Sequence, residues 1–251
     1  MYFSKVTVAN ALELSTLLAD FKNRDSYIIH QLLWQLFPGY TKSWTQQPSK
    51  AKEQLQRPFL YREETNSQGF PEFYVLSEHP PEAKGTPFNC QTKHYEPRLS
   101  AGDRLAFKLR VNPVTSSRDE QGIRKRHDVL MDAKRKVDPE GLSPERLKEA
   151  KKLAAEHAAQ AWISSPERLA DWGVQLDSQP EIESYTQHRL ARKKALEGER
   201  KNEQGRPIRY SSVDYQGLLT VTDPERFLQA LYKGVGKSKG FGCGMWLVRR
   251  V

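Results

Sequence analysis

The order strand–helix–strand–strand–short helix–strand can be read twice along these 251 residues, and that doubling constrains the fold more than any other feature. In the first half, Tyr2 to Val8 alternate, with Val6 and Val8 on one face and Lys5 and Thr7 on the other, as a strand requires. Ser26 to Phe37 is predicted as a helix, with Asp25 or Ser26 as its N-cap and Pro38-Gly39 as its stop. Phe59 to Arg62 and Phe73 to Leu76 are predicted strands on either side of the turn-rich Asn66 to Gly69. Glu78 to Lys84 carries Pro80 and Pro81, so any helix there is brief. Asn89 to Tyr95 supplies a fourth strand.

Pro97 to Asp103 has the composition of a linker, and the order then repeats. Arg104 to Val111 alternates, with Leu105, Phe107, Leu109 and Val111 facing one way. Ser143 and Ser165 each precede Pro-Glu and are predicted N-caps, one capping solution used twice. The first of those helices is expected to bury a stripe of Leu147, Ala150, Ala154, Ala158 and Ala161, and the second to stop at Gly173. Strands follow at Glu183 to Arg189 and Tyr210 to Val221, then a helix from Pro224 to Tyr232 capped by Asp223, then a closing strand, Met245 to Arg250. Two such units make an α+β chain of tandem ferredoxin-like (RRM-like) βαββαβ domains, residues 1–98 and 99–251. Many RNA-binding domains share that fold, yet the fold alone names no function.

The formal charge of +9 favours a polyanionic partner such as nucleic acid. The chain lacks a signal-like start and any apolar run of about 20 residues. Its only cysteines are Cys90 and Cys243, so neither a disulfide framework nor a Cys-rich zinc site is expected. These features predict a cytoplasmic protein with no membrane partner.

Three groups of residues carry the chemistry. On the first helix, Ile29, Leu32, Leu33 and Leu36 form an apolar face, leaving Tyr27, His30, Gln31 and Trp34 on the other side. Histidine is the side chain best suited to proton exchange near neutral pH. A packing helix with an amphipathic rim is the alternative. The second group is the run GVGKSKGFGCG, with Gly234, Gly236, Gly240, Gly242 and Gly244 interleaved with Lys237 and Lys239. Residues 231–251 hold five Lys or Arg and no acid. Glycines let backbone N–H groups approach phosphate. A Walker loop would need glycine where Leu231 stands, and this loop runs from helix to strand, the reverse of a nucleotide loop. The third group is basic. His188 to Tyr210 holds eight Lys or Arg, among them Arg189, Arg192, Lys193, Lys194, Arg206 and Arg209, against three acids. Arg124, Lys125 and Arg126 form a smaller cluster. Such a flap suits the backbone of an A-form stem, which protein reads by shape. A solvated loop is the alternative.

The start MYFSKV, the helix motif Y-x-x-H-Q-x-L-W from Tyr27 to Trp34 with Leu36-Phe37-Pro38 after it, FKLRVNP from Phe107 to Pro113, and GKSKGFGCG near the end are together similar to one family. The chain resembles the CasE family, the CRISPR-associated endoribonuclease of the type I-E Cascade complex. Gly39 to Pro58 and Gly141 to Gln179 show no such match. The resemblance implies metal-free, cofactor-free cleavage of the CRISPR repeat RNA at the base of its stem-loop. In that reaction a ribose 2′-OH attacks the adjacent phosphate, leaving a 2′,3′-cyclic phosphate and a 5′-OH. It places the family's histidine on His30 and its tyrosine on Tyr27, without saying which is base. It implies a protein that stays on the product stem and joins the other Cascade subunits; alone, the chain is expected to be monomeric. The competing expectation is a non-catalytic subunit of the same fold that binds structured RNA, with His30 a packing or stacking residue. A scaffold for acidic partners is a further alternative.

Overall fold

A computed structural model describes residues 1–9, 26–40, 58–118, 124–190 and 208–251, with the backbone alone for 26–28, 116–118, 124–126, 190 and 208. The N-terminal half contains β1 (Tyr2–Val8), α1 (Ser26–Trp34), β2 (Phe59–Thr65), β3 (Pro71–Ser77) and β4 (Phe88–His94). Its sheet runs β2-β3-β1-β4 with every pair antiparallel, the ferredoxin-like order. Helix α1 lies on this sheet because its aliphatic face buries Ile29 and Leu33, with Leu36 and Phe37 just beyond, against Val6, Phe73 and Val75. The helix ends at Trp34, and Leu36 and Phe37 close the last turn with hydrogen bonds to the carbonyls of Leu33 and Trp34. Residues 38–40 are helical again, so Pro38 opens a turn as well as ending one. Asp25, the other candidate cap, lies outside the described residues.

Between β3 and β4 the structure has bends and turns where a short helix was allowed for. Pro80, Pro81 and Pro87 remove three backbone donors there. The β2–β3 turn is as expected: the Asn66 carboxamide oxygen accepts from the Gln68 and Phe70 backbone N–H groups, both at 2.9 Å.

The C-terminal half begins with β5 (Arg104–Val111), whose Leu105, Phe107, Leu109 and Val111 are all buried. Each fully buried apolar side chain of this kind contributes about 1.5–3 kcal/mol. A ribbon follows, β6 (Val114–Arg118) and β7 (Arg124–Asp128), then α2 (Val129–Arg135), α3 (Pro144–Ile163) and α4 (Pro166–Trp172). The remaining elements are β8 (Val174–Leu176), β9 (Glu181–Leu190), β10 (Ile208–Val221), α5 (Pro224–Lys233), a 3-10 turn at Lys239–Phe241, and β11 (Trp246–Arg250). The sheet order is β11-β5-β10-β8, with β9 also on β10. The ferredoxin-like second strand is therefore split into β8 and β9, which share one edge of β10 and meet near its bulge at Asp214/Tyr215.

Three local expectations need correction. The α3 face that is buried is Ala155, Ala159, Trp162 and Ile163, one position beyond the alanine stripe, and Ala161 is exposed. Trp162 and Ile163 carry far more apolar surface than alanines and decide the rotation of the helix. The two serine starts also differ: the Ser143 hydroxyl accepts from the Arg146 N–H, whereas Ser165 makes no cap bond and its hydroxyl donates to Glu167. The ribbon β6–β7 and helix α2 form where the sequence shows only a basic cluster. By contrast, Asp223 caps α5 through the N–H groups of Glu225 and Arg226, and Gly173 ends α4 in the left-handed region at φ 71°.

Candidate active site between the domains

His30 sits on α1 beside the core rings of β2, half-buried. Tyr61 of β2 stacks near it at 6.4 Å between centroids, Phe59 lies at 6.2 Å, and Trp34 meets it edge-on at 5.9 Å. The fourth ring, at 6.3 Å, is Phe241 from the glycine-rich loop of the other domain. The first two sequence groups therefore meet in space. Tyr27 occupies the preceding turn of α1, three residues before His30. The Trp34 indole N–H donates to His30 Nε2 at 2.8 Å.

The loop is fixed from several directions. Tyr61 donates its hydroxyl to the Gly240 carbonyl at 3.4 Å, and burial first, then the nearby Tyr210, holds that phenol well above its ordinary acidity range. Tyr61 is thus a neutral donor. Asn112 follows β5, and its side-chain N–H donates to the Ser238 hydroxyl at 2.7 Å. Ser238 itself is in the left-handed region at φ 58°, so this contact holds a strained turn in place. Gly244 donates its N–H to the Arg110 carbonyl at 2.6 Å, and a Cβ there would lie 2.3 Å from the Val235 carbonyl. A Cβ on Gly234 would lie 2.7 Å from Leu60 of the first domain. These two glycines serve close packing. Gly236, Gly240 and Gly242 complete the turns between them.

The lysines divide in the same way. Lys239 donates its ammonium to the carbonyls of Lys233 and Gly234, at 2.7 and 2.8 Å, and so caps the C-terminus of α5. Lys237 is exposed. Cys243 is buried beneath Phe241 and Tyr210, and burial pushes its thiol up to about 12, which removes it as a nucleophile.

Beside the site, the domains are joined by a charged cluster that sequence reasoning did not find. Asp214 of β10 accepts two hydrogen bonds from Arg110, at 2.8 and 3.0 Å, and one from the Ser184 hydroxyl at 2.7 Å. Arg62 of β2, only 1% exposed, reaches across to Asp214 at 3.3 Å and pairs with Glu64. Burial favours the neutral acid at Asp214, but the Arg110 hydrogen bond and charge, with Arg62 behind them, outweigh it and hold the carboxyl below the usual range. For Arg110 burial likewise opposes the charge, and the Asp214 contact reverses it, leaving the guanidinium firmly protonated.

A line of rings leads from the site to the basic hairpin. Phe241 stacks on Tyr210 at 5.2 Å, and Tyr210 on His188 at 4.3 Å and 9°. His188 and Tyr210 face each other on β9 and β10, next to the opposed pair Arg189 and Arg209, both exposed. Arg192, Lys193, Lys194 and Arg206 lie outside the described residues. Arg124, Lys125 and Arg126 are placed on β7, opposite Arg118, Ser117 and Ser116 of the ribbon. Among the described residues no group of three His, Cys, Asp or Glu could hold a metal ion.

A family model described as "CRISPR associated protein" matches residues 1–250. The CRISPR system Cascade subunit CasE of Escherichia coli (strain K12) is 27% identical over 246 residues, covering 98% of this chain and 97% of that protein. The chain belongs to the CasE family of CRISPR-associated proteins. A second relative of this CasE-family chain is the CRISPR-associated endoribonuclease Cse3 of Thermus thermophilus, 30% identical over 156 residues, 61% of this chain and 59% of that one. The solved structure of Thermus thermophilus Cse3, bound to an RNA representing a pre-cleavage complex, has the same fold. Its TM-score is 0.60 at 22% identity, covering 99% of this chain and 98% of that chain.

Proposed function

We propose that this CasE-family protein is a metal-independent endoribonuclease that cuts CRISPR precursor RNA at the base of the repeat hairpin and stays on the product stem-loop as a Cascade subunit. The observation that carries the reading is the meeting of His30 with the glycine-rich loop at the junction of the domains, in a chain whose relatives are named endoribonuclease and Cascade subunit. The ribose 2′-oxygen forms a bond to the adjacent phosphorus while the bond from phosphorus to the 5′-oxygen breaks. One proton leaves the 2′-OH and one reaches the 5′-oxygen, giving a 2′,3′-cyclic phosphate and a 5′-OH. His30 and Tyr27 are the groups that move these protons, and Lys237 is the exposed cation of the loop beside them. Arg189 and Arg209 hold the stem by its phosphates, with Arg192, Lys193, Lys194 and Arg206 adding charge in the same basic run and Arg124 to Arg126 a second contact. Lys239 acts one step back, by fixing the loop.

No helix among the described residues is long and apolar enough to cross a membrane. Cys90 and Cys243 are unpaired, which suits the reducing cytoplasm. The test is to incubate repeat RNA with the protein in excess EDTA and identify the ends. Cyclic phosphate and 5′-OH ends are expected, and a 2′-deoxy substitution at the cleavage nucleotide is expected to abolish cutting. RNA retained intact would favour the non-catalytic binding subunit instead.

A further inference from the structure

Any acid–base role for His30 takes its ring between imidazole and imidazolium. The Trp34 indole N–H, which can only donate, sits on Nε2 at 2.8 Å. Nε2 therefore presents its lone pair, and the neutral ring carries its single proton on Nδ1. The contact follows from the helix, since residues 30 and 34 are one turn apart on α1. It is also supported from behind. Trp34 packs edge-on against Phe59 at 5.4 Å, and Phe59 stacks on Phe37 at 4.7 Å.

This hydrogen bond is incompatible with the proton transfer it adjoins. As a base, His30 must take a proton on Nε2, where the indole N–H already points. As an acid, it must begin as imidazolium, and two N–H groups would then face each other. Donation from Nδ1 of the neutral ring would leave an imidazolate, far outside the range of an imidazole near neutrality. In each case Nε2 and Trp34 must part. Trp34 is half-buried, whereas its neighbour Leu33 is fully enclosed.

We propose that Trp34 is a positioning residue for His30: it fixes the Nδ1–H tautomer and covers the proton-exchanging nitrogen until RNA occupies the site and draws the indole away. The proposal rests on the reading of His30 as a proton-transfer group. It gives the protein a resting state in which stray RNA meets a ring unable to accept its proton.

The test uses the full chain labelled with ¹⁵N at histidine and tryptophan, and a repeat hairpin carrying 2′-deoxyribose at the attacking position. Without RNA, His30 Nε2 is expected to be unprotonated and coupled across the hydrogen bond to the Trp34 N–H. With the hairpin bound, that coupling is expected to vanish and the indole proton to exchange with water several-fold faster. Coupling that persists in the complex would overturn the proposal. Trp34→Phe supplies the kinetic arm. Its ratio of stray-RNA cutting to repeat-hairpin cutting is expected to rise several-fold over that of the wild type, and an unchanged ratio would overturn the gating role. A loss as large as that of His30→Ala in a folded variant would place Trp34 in the cleaving geometry and overturn the gating role. Normal cutting by His30→Ala would overturn the proton-transfer reading itself, while the tautomer and its response to RNA are read separately by NMR.

Discussion

In the N-terminal half, the described part of the connection from β1 to β2 offers α1, nine residues long, with a half-buried histidine. In the C-terminal half, the equivalent connection from β5 to β8 holds a β-ribbon and three helices, one of them 20 residues long. The larger insertion carries buried Trp162 and Trp172 and enlarges a core, while the smaller one brings His30 to the junction. The comparison separates two tasks that a shared strand order could have hidden. On the proposed function, the first domain supplies the proton-moving groups. The second supplies the loop that closes on them and the basic hairpin that leads away. A strand order constrains where an insertion emerges, and its side chains decide what it does there.

The sharpest way to break this division is His30→Ala. Cleavage is expected to fall by about 10²–10⁴, with RNA affinity changed no more than a few-fold. A single-turnover rate like that of the wild type would move the chemistry out of the first domain. Next is the charged junction. Asp214→Ala leaves the buried Arg62 and the partly exposed Arg110 without their shared carboxylate, an expected loss on the order of 3 kcal/mol in urea unfolding. Acid should erase that difference. The Asp214 carboxyl is held below the usual range in the fold, so its contribution is full above the ordinary aspartate value of about 3.9 and fades as pH falls through the folded value. A gap between variant and wild type that stays constant on acidification would show that the junction is held by something else.

Smaller effects should appear in the second domain. Arg189→Ala with Arg209→Ala is expected to weaken binding and to flatten the slope of log affinity against log salt by about 0.7–0.9 for each phosphate no longer neutralised. Cleavage at saturating enzyme should hardly change. An unchanged slope would shift the stem to the ribbon bearing Arg124 to Arg126. The smallest effect expected is that of Tyr27→Phe, a decrease in cleavage less than that of His30→Ala, because water can stand in for the phenol in passing its proton. A decrease equal to that of His30→Ala would give the phenol a share as large as that of the imidazole.

Much of this arrangement was legible from local pattern. The alternation from Arg104 to Val111 gave a strand with the correct inward face, and the helix spacing put His30 and Trp34 on one side of α1. The long-range contacts were not legible. Arg62 in the run FLYREE resembles the solvent side of an edge strand, and its partner Asp214 is in the other domain. Phe241 was hidden among glycines and lysines, whose flexibility and charge drew attention from the one large ring. The ribbon at β6–β7 was missed because basic residues in a short strand give no apolar alternation. The α3 stripe slipped by one position because alanines scarcely define a face.

The meeting of His30 with Phe241 also has a bearing on the order of synthesis. Domains generally fold as units, the earlier one first, while the chain is still emerging. A growing chain can complete β1 to β4 and α1 long before Phe241 has been added, and at that stage Tyr61 lacks the Gly240 carbonyl and His30 lacks its fourth ring. The candidate site is thus assembled last, by residues just ahead of the strand that closes the second sheet. Ribosome-stalled chains ending at Leu231 are expected to leave repeat RNA uncut, and cutting by such chains would show that the first domain is active by itself.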